Sequence, residues 1–146
     1  MAERRPLQVH TARIGFRDPD VLDITRKSAK GDGLAFAPSW AILRPALEEM
    51  KAAADEIGFA SCGLDDFNGR WRMRRAWWGY VVAFRAEMVG SWRRCPSAWE
   101  RLLARPRVVL VCYCVDPDHC HRTILAAGIL IPDHSADLLC LCRSEE

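Results

Sequence analysis

Five side chains within eleven residues, Cys112, Cys114, Cys120, His121 and Arg122, concentrate more chemistry than any other part of this 146-residue chain. Three kinds of chemistry use such a set. The first is zinc binding. Cys112-x-Cys114 and then Cys120-His121 offer four good ligands, but structural zinc sites usually take ligands two to four residues apart on separate knuckles. Adjacent Cys120 and His121 rarely ligate one ion, although Cys140-x-Cys142 would supply a second pair. On this spacing no metal ligand is assigned and no cofactor is expected.

The second is nucleophilic or acid–base catalysis. A cysteine at a helix start, beside a histidine and an arginine, should have a lowered pKa. Cys120 meets that description, with His121 as its base and Arg122 as an anion clamp. A cysteine-phosphatase or rhodanese loop is excluded by spacing. There cysteine precedes arginine by six positions, whereas here Arg122 follows Cys114 by eight and Cys120 by two. The third is anion binding by free backbone N–H groups and Arg122, with His121 as general acid or base. Against all three stands plain packing, since free cysteines are often small buried hydrophobes. Packing suits Cys112; His121 and Arg122, adjacent charged groups on a tight turn, are read as functional.

These groups need elements to hold them. Val108–Val111 is an apolar run of the kind that makes a strand buried on both faces, and Ile124–Leu130 reads as helix. Strand, polar turn and helix is how α/β proteins present chemistry at the carboxyl ends of their strands. Leu7–Ile14 is a first strand and Val21–Thr25 a second, with Asp18-Pro19-Asp20 a turn between them. The second strand leads into Arg26–Gly33, whose cations, serine and glycines read either as a solvated loop or as a phosphate cradle. Asp23, Lys27 and Ser28 are its candidate residues.

Pro38-Ser39 starts a helix with Ser39 as a cap, and Ile42, Leu43, Ala46, Leu47, Met50 and Ala54 mark its buried face up to about Gly58. Phe59–Leu64, with Cys62, reads as a strand, and Asp65–Gly69 as a polar turn. Arg70–Arg94 then holds seven arginines, one acid (Glu87) and four of the six tryptophans. Arginine interleaved with flat aromatics suits surfaces that grip phosphates and stack bases, which points to Arg70, Trp71, Arg72, Arg74, Arg75, Trp77 and Trp78. The competing reading is an amphipathic helix with its tryptophans in the core. A helix from Pro96-Ser97 leads to the central strand, and Ile131-Pro132-Asp133 stops the helix after it.

Length, an ordinary apolar-to-charged balance and the lack of repeats or linkers suit a single α/β domain, 1–146. A net charge of +2 excludes nothing by itself. No apolar run is long enough to span a membrane, and the opening Met-Ala-Glu-Arg-Arg-Pro carries no signal-peptide core, so a cytoplasmic location is expected. Seven cysteines without an export signal argue for buried, ligating or reactive thiols over disulfides.

Leu-Val-Cys-Tyr-Cys, then Cys-His-Arg and a Leu-Ala helix, resembles the bacterial and phage family known as domain of unknown function 488. Leu22-Asp23-Ile24-Thr25, Lys27-Ser28 and Phe36-Ala37-Pro38-Ser39-Trp40 look like its first block. Tyr80, Phe84 and Met88, then Trp99-Glu100 and Leu102-Leu103, follow its order across most of residues 9–130. The arginine–tryptophan density of Arg70–Trp78 departs from it. The resemblance implies a three-layer α/β fold with a mostly parallel sheet and with Asp23, Lys27, Cys120, His121 and Arg122 near one pocket. It also adds Tyr80 to the substrate-binding residues. The expectation is an enzyme acting on a nucleotide, or on a base in nucleic acid, by hydrolytic or N-glycosidic-bond chemistry. Asp23 is its base or electrostatic stabiliser, His121 its acid/base group, and Lys27 with Arg122 its phosphate clamps. One of Trp71, Trp77 or Trp78 stacks a base. The alternatives are a non-catalytic nucleic-acid-binding module stabilised by zinc and an interaction protein whose aromatic helix docks a partner.

Overall fold

The computed structural model describes residues 6–59, 64–114 and 119–130. Cys62, the Cys140–Cys142 pair and the helix stop at Ile131-Pro132-Asp133 lie outside them. The chain divides into two compact units, Met1–Ala37 with Met88–Glu146, and Pro38–Glu87.

The first unit is built on three parallel strands, β1 (Gln8–Arg13), β2 (Val21–Asp23) and β3 (Arg107–Cys112), in the order β1-β3-β2. Central β3 pairs on both sides, with Leu110 opposite Thr11 on one edge and Leu22 on the other. Its run Val108–Val111 is buried throughout, as a strand flanked by strands and covered on both faces requires. Ala12, Val109 and Val111 form an apolar cluster joined by Ile14 and Val21. The chain is thus mixed α/β with a small parallel sheet. β2 is shorter than its sequence suggests, because the backbone N–H of Thr25 turns to the Asp23 side chain, 2.9 Å away.

Beyond β2 a tight helical turn, Gly31–Phe36, is joined to α3 (Pro96–Leu103; α1 and α2 are described below). Phe36 meets Trp99 edge-on at 4.9 Å, Trp99 Nε1 donates to Ser91 Oγ at 3.1 Å, and Arg101 pairs with Asp32 at 2.7 Å. After β3, α4 begins with one turn, His121–Thr123, and widens to a π-helix over Ile124–Leu130.

The second unit holds α1 (Trp40–Phe59) and most of α2 (Leu64–Arg94). Ser39 starts α1 through its carbonyl, which accepts from Leu43 N at 3.0 Å. Its hydroxyl is not a cap: it donates to Glu87, whose other carboxylate oxygen accepts from Ser39 N at 2.8 Å. Ala46 and Ala53 are buried on α1, but Leu47 and Ala54 of the expected buried face are exposed. No turn separates Asp65 from Gly69. Those residues are helical, because Asp and Asn favour helix starts as readily as turns. Phe59 and Leu64 are likewise helical, at the ends of α1 and α2, where a strand was expected. Among the described residues no helix is long and apolar enough to cross a membrane.

Candidate functional site

The carboxyl ends of β2 and β3 hold the chemistry of the first unit. Asp23, the last residue of β2, is half-buried and fixed by its own turn. Its Oδ1 accepts from Thr25 N at 2.9 Å and Thr25 Oγ1 at 2.7 Å, and its Oδ2 accepts from Ser28 Oγ at 2.5 Å. The two hydroxyls also meet each other at 2.8 Å, so carboxylate and turn form one network. Gly33 closes it from behind: a Cβ there would lie 2.0 Å from the Asp23 carbonyl oxygen. Lys27 extends over the half-exposed ring of Tyr113, its ammonium 5.8 Å from the ring centroid. A cation and an aromatic face therefore stand at adjacent strand ends.

His121 is 4 % exposed and sits at the first position of α4. One ring nitrogen, Nε2, lies 2.7 Å from the carbonyl oxygen of Ile24. A carbonyl only accepts, so Nε2 carries a proton and donates it, and in the neutral ring Nδ1 presents its lone pair. That lone pair faces sulfur: Cys112 Sγ is 3.8 Å from Nδ1 and Cys120 Sγ 3.9 Å. Cys114 Sγ lies 3.7 Å from Cys112 Sγ.

The lowered pKa expected for Cys120 is reversed. The neighbouring Cys112 and Cys114 thiols, followed by burial, push it well above the usual thiol range. A helix start attracts negative charge, but crowding by sulfur in a dry pocket outweighs it. Arg122 does not point to solvent as an anion clamp. It is 3 % exposed and its guanidinium donates to the Ala12 carbonyl of β1. His121 bonds the carbonyl of Ile24, the residue that follows Asp23. Cys120, His121 and Arg122 face the interior rather than a solvent-filled cleft.

In the second unit, the arginine–tryptophan helix is not a core helix. Trp71 and Trp78 are 61 % and 63 % exposed and Trp77 is half-buried. Seven residues apart, the two exposed rings share one side of α2. Arg70, Arg74 and Arg75 are exposed as well, but Arg72 is paired with Glu49 and, at 3.4 Å, with Glu56. Its charge is largely spent inside the unit. Tyr80 is buried, with its ring 5.8 Å from Trp77 and stacked on Phe84 at 6.1 Å. A groove of about 690 Å³ lies between α1 and α2, lined by Ile42, Pro45, Trp71, Arg75 and Tyr80 among others.

Residues 64–131 match the family model DUF488-N3a, described as the active DUF488-N3 subclade. Over this segment the chain is similar to the DUF488 family. The DUF488 match takes in α2, α3, β3 and the Cys-His-Arg turn, while Asp23, Lys27 and Ser28 precede it. No curated protein and no solved structure matches the chain.

Sequence reasoning missed three residues at the strand ends: Thr25, Gly33 and Tyr113. Thr25-x-x-Ser28 behind a strand-ending Asp23 is a readable sign of a side-chain-bonded turn. The approach of Gly33 to Asp23 left no local sign, because it depends on how the following turn folds back.

Proposed function

We propose that this protein is an enzyme acting on a nucleotide or on a base within nucleic acid, by hydrolytic or N-glycosidic-bond chemistry. The observation that carries the reading is the Asp23 carboxylate. It stands at the end of a parallel strand, where α/β folds gather their catalytic groups, and three hydrogen bonds from Thr25 and Ser28 hold it in one orientation. Asp23 acts as general base or as a fixed negative charge beside a developing oxocarbenium. Lys27 meets a substrate phosphate, and Tyr113 offers a face on which a base stacks. His121 and Arg122 act as positioning residues, the one holding Ile24 and the other β1. The description of the matching family model as an active subclade agrees with catalysis.

On α2, Trp71 and Trp78 stack bases while Arg70, Arg74 and Arg75 meet the backbone phosphates. The same surface favours the second reading, a binding module without turnover, and one experiment separates the two. The protein is incubated with nucleoside phosphates and with single- and double-stranded oligonucleotides, and released base, sugar or phosphate is followed by chromatography. Turnover should fall by a factor of about 10²–10⁴ in Asp23→Asn with the circular-dichroism spectrum unchanged. Binding to oligonucleotides with no product from any substrate would establish the module instead.

A further inference from the structure

The sulfur and nitrogen atoms around His121 have the dimensions of a metal site. The Sγ atoms of Cys112 and Cys120 and a ring nitrogen of His121 all lie within 4.8 Å of one another, and all three residues are buried. Cys114 lies just outside that group of three, with its Sγ 3.7 Å from Cys112 Sγ. A tetrahedral zinc ion, with Zn–S of about 2.3 Å and Zn–N of about 2.0–2.1 Å, has S···S edges of about 3.8 Å and S···N edges of about 3.6 Å. Three of the six edges of such a tetrahedron, the S···S separation of 3.7 Å and the N···S separations of 3.8 and 3.9 Å, agree with these values to within a few tenths of an ångström.

Two further features belong to such a site. A histidine that ligates a metal through one nitrogen usually donates its other N–H to a carbonyl or carboxylate, which fixes the ring and the tautomer. His121 does this with Ile24, so that Nδ1 is the nitrogen that faces the thiols. The second feature is charge. Arg122 is buried, its Nε has no partner, and among the described residues it meets no carboxylate. A buried guanidinium without a counter-charge is costly. Three thiolates and a neutral imidazole around a divalent ion carry a net charge of −1, one residue from Arg122.

We propose that Cys112, Cys114, Cys120 and His121 Nδ1 bind one zinc-class divalent ion in a closed, structural site. Adjacent Cys120 and His121 serve together because the chain is extended at Cys120, with φ −139° and ψ 142°, and enters the helix only at His121. The two consecutive side chains thereby reach the ion from different directions. All four coordination positions are filled by protein, so the ion holds the strand ends of the sheet to α4 and does not activate water. Binding releases the thiol protons, so it weakens as pH falls.

The test is metal analysis of the full chain as purified, followed by cobalt substitution. The expected result is one zinc per chain and, after exchange, the intense visible bands and thiolate charge-transfer absorption of tetrahedral cobalt. Cys112→Ser and Cys114→Ser should release the ion to a chelator faster by a factor of about ten or more, whereas Cys140→Ser with Cys142→Ser should not. Cys114 is only partly buried, so its variant serves if Cys112→Ser does not fold. The proposal is overturned if the folded wild-type chain carries no stoichiometric metal and gives no cobalt–thiolate spectrum. It is equally overturned if the ion stays in the Cys112 and Cys114 variants and leaves with Cys140 and Cys142.

Discussion

His121 donates from Nε2 to the carbonyl of Ile24 at 2.7 Å, across 97 positions of chain. This bond joins the first turn of α4 to the end of β2 and fixes which ring nitrogen is left for the thiols. Ile24 is itself fully buried, so its carbonyl has no bulk solvent to turn to in the folded chain.

His121→Ala should therefore lose about 3 kcal/mol of stability, from an unsatisfied buried carbonyl together with the cavity left by the ring. Urea unfolding with a chelator present reads this contribution apart from any metal. A change below about 0.5 kcal/mol would mean that the bond is not made.

Gly33→Ala should cost about 2–3 kcal/mol, near the upper end of ordinary overpacking. Its new methyl would meet backbone, the Asp23 carbonyl oxygen, and not the yielding end of a side chain. The Asp23 network should loosen with it, so any turnover should fall in parallel. Gly15→Ala is the comparison: a Cβ there meets nothing within 4 Å, although the positive φ of 92° adds strain of its own.

Stability should decline in acid. The Arg107 guanidinium holds the Asp18 carboxyl below its ordinary value of 3.8, and the Arg101 guanidinium does the same for Asp32. A carboxyl with a lower pKa folded than unfolded stabilises the fold above the unfolded value. That contribution is lost as pH falls below about 4, through the folded value. Arg107→Gln should flatten the acid limb of a thermal-melting profile, and added salt should mimic it in part. An unchanged limb would assign acid sensitivity to other carboxyls.

Trp71→Ala and Trp78→Ala should leave stability within about 0.5 kcal/mol, because both rings are exposed. Each should weaken oligonucleotide binding by about 1–3 kcal/mol, measured by fluorescence anisotropy. Arg72→Ala should weaken it little, since Glu49 and Glu56 already hold that charge. If Arg72 proved more important than either tryptophan, the stacking assignment would be wrong.

Much of this protein is written in local sequence. Val108–Val111, rich in β-branched residues and apolar without alternation, reads as a strand covered on both faces, and β1, the carboxyl end of α2 and the start of α3 follow from similarly local signals. The position of the polar cluster, between a buried strand and a helix, was equally legible. So was the presence of Asp23 at a strand end. Side-chain direction was not. Arginine after histidine on a turn reads as an anion clamp, yet Arg122 turns inward because the Ala12 carbonyl at the edge of β1 takes its guanidinium. Tryptophan at helical spacing reads as core, yet Trp71 and Trp78 face outward. Nor does spacing along the chain show that Cys120 Sγ lies 3.9 Å from Nδ1 of its neighbour His121. The extended backbone at Cys120 and the pull of the Ile24 carbonyl on His121 separate them in direction while keeping them close. Local propensity decides most of the strands and helices but not all, since Phe59 and residues 64–69 are helical where a strand and a turn were expected. Where a buried polar group points depends on which carbonyl or sulfur the fold brings opposite it from a hundred residues away, and only the tertiary structure decides that.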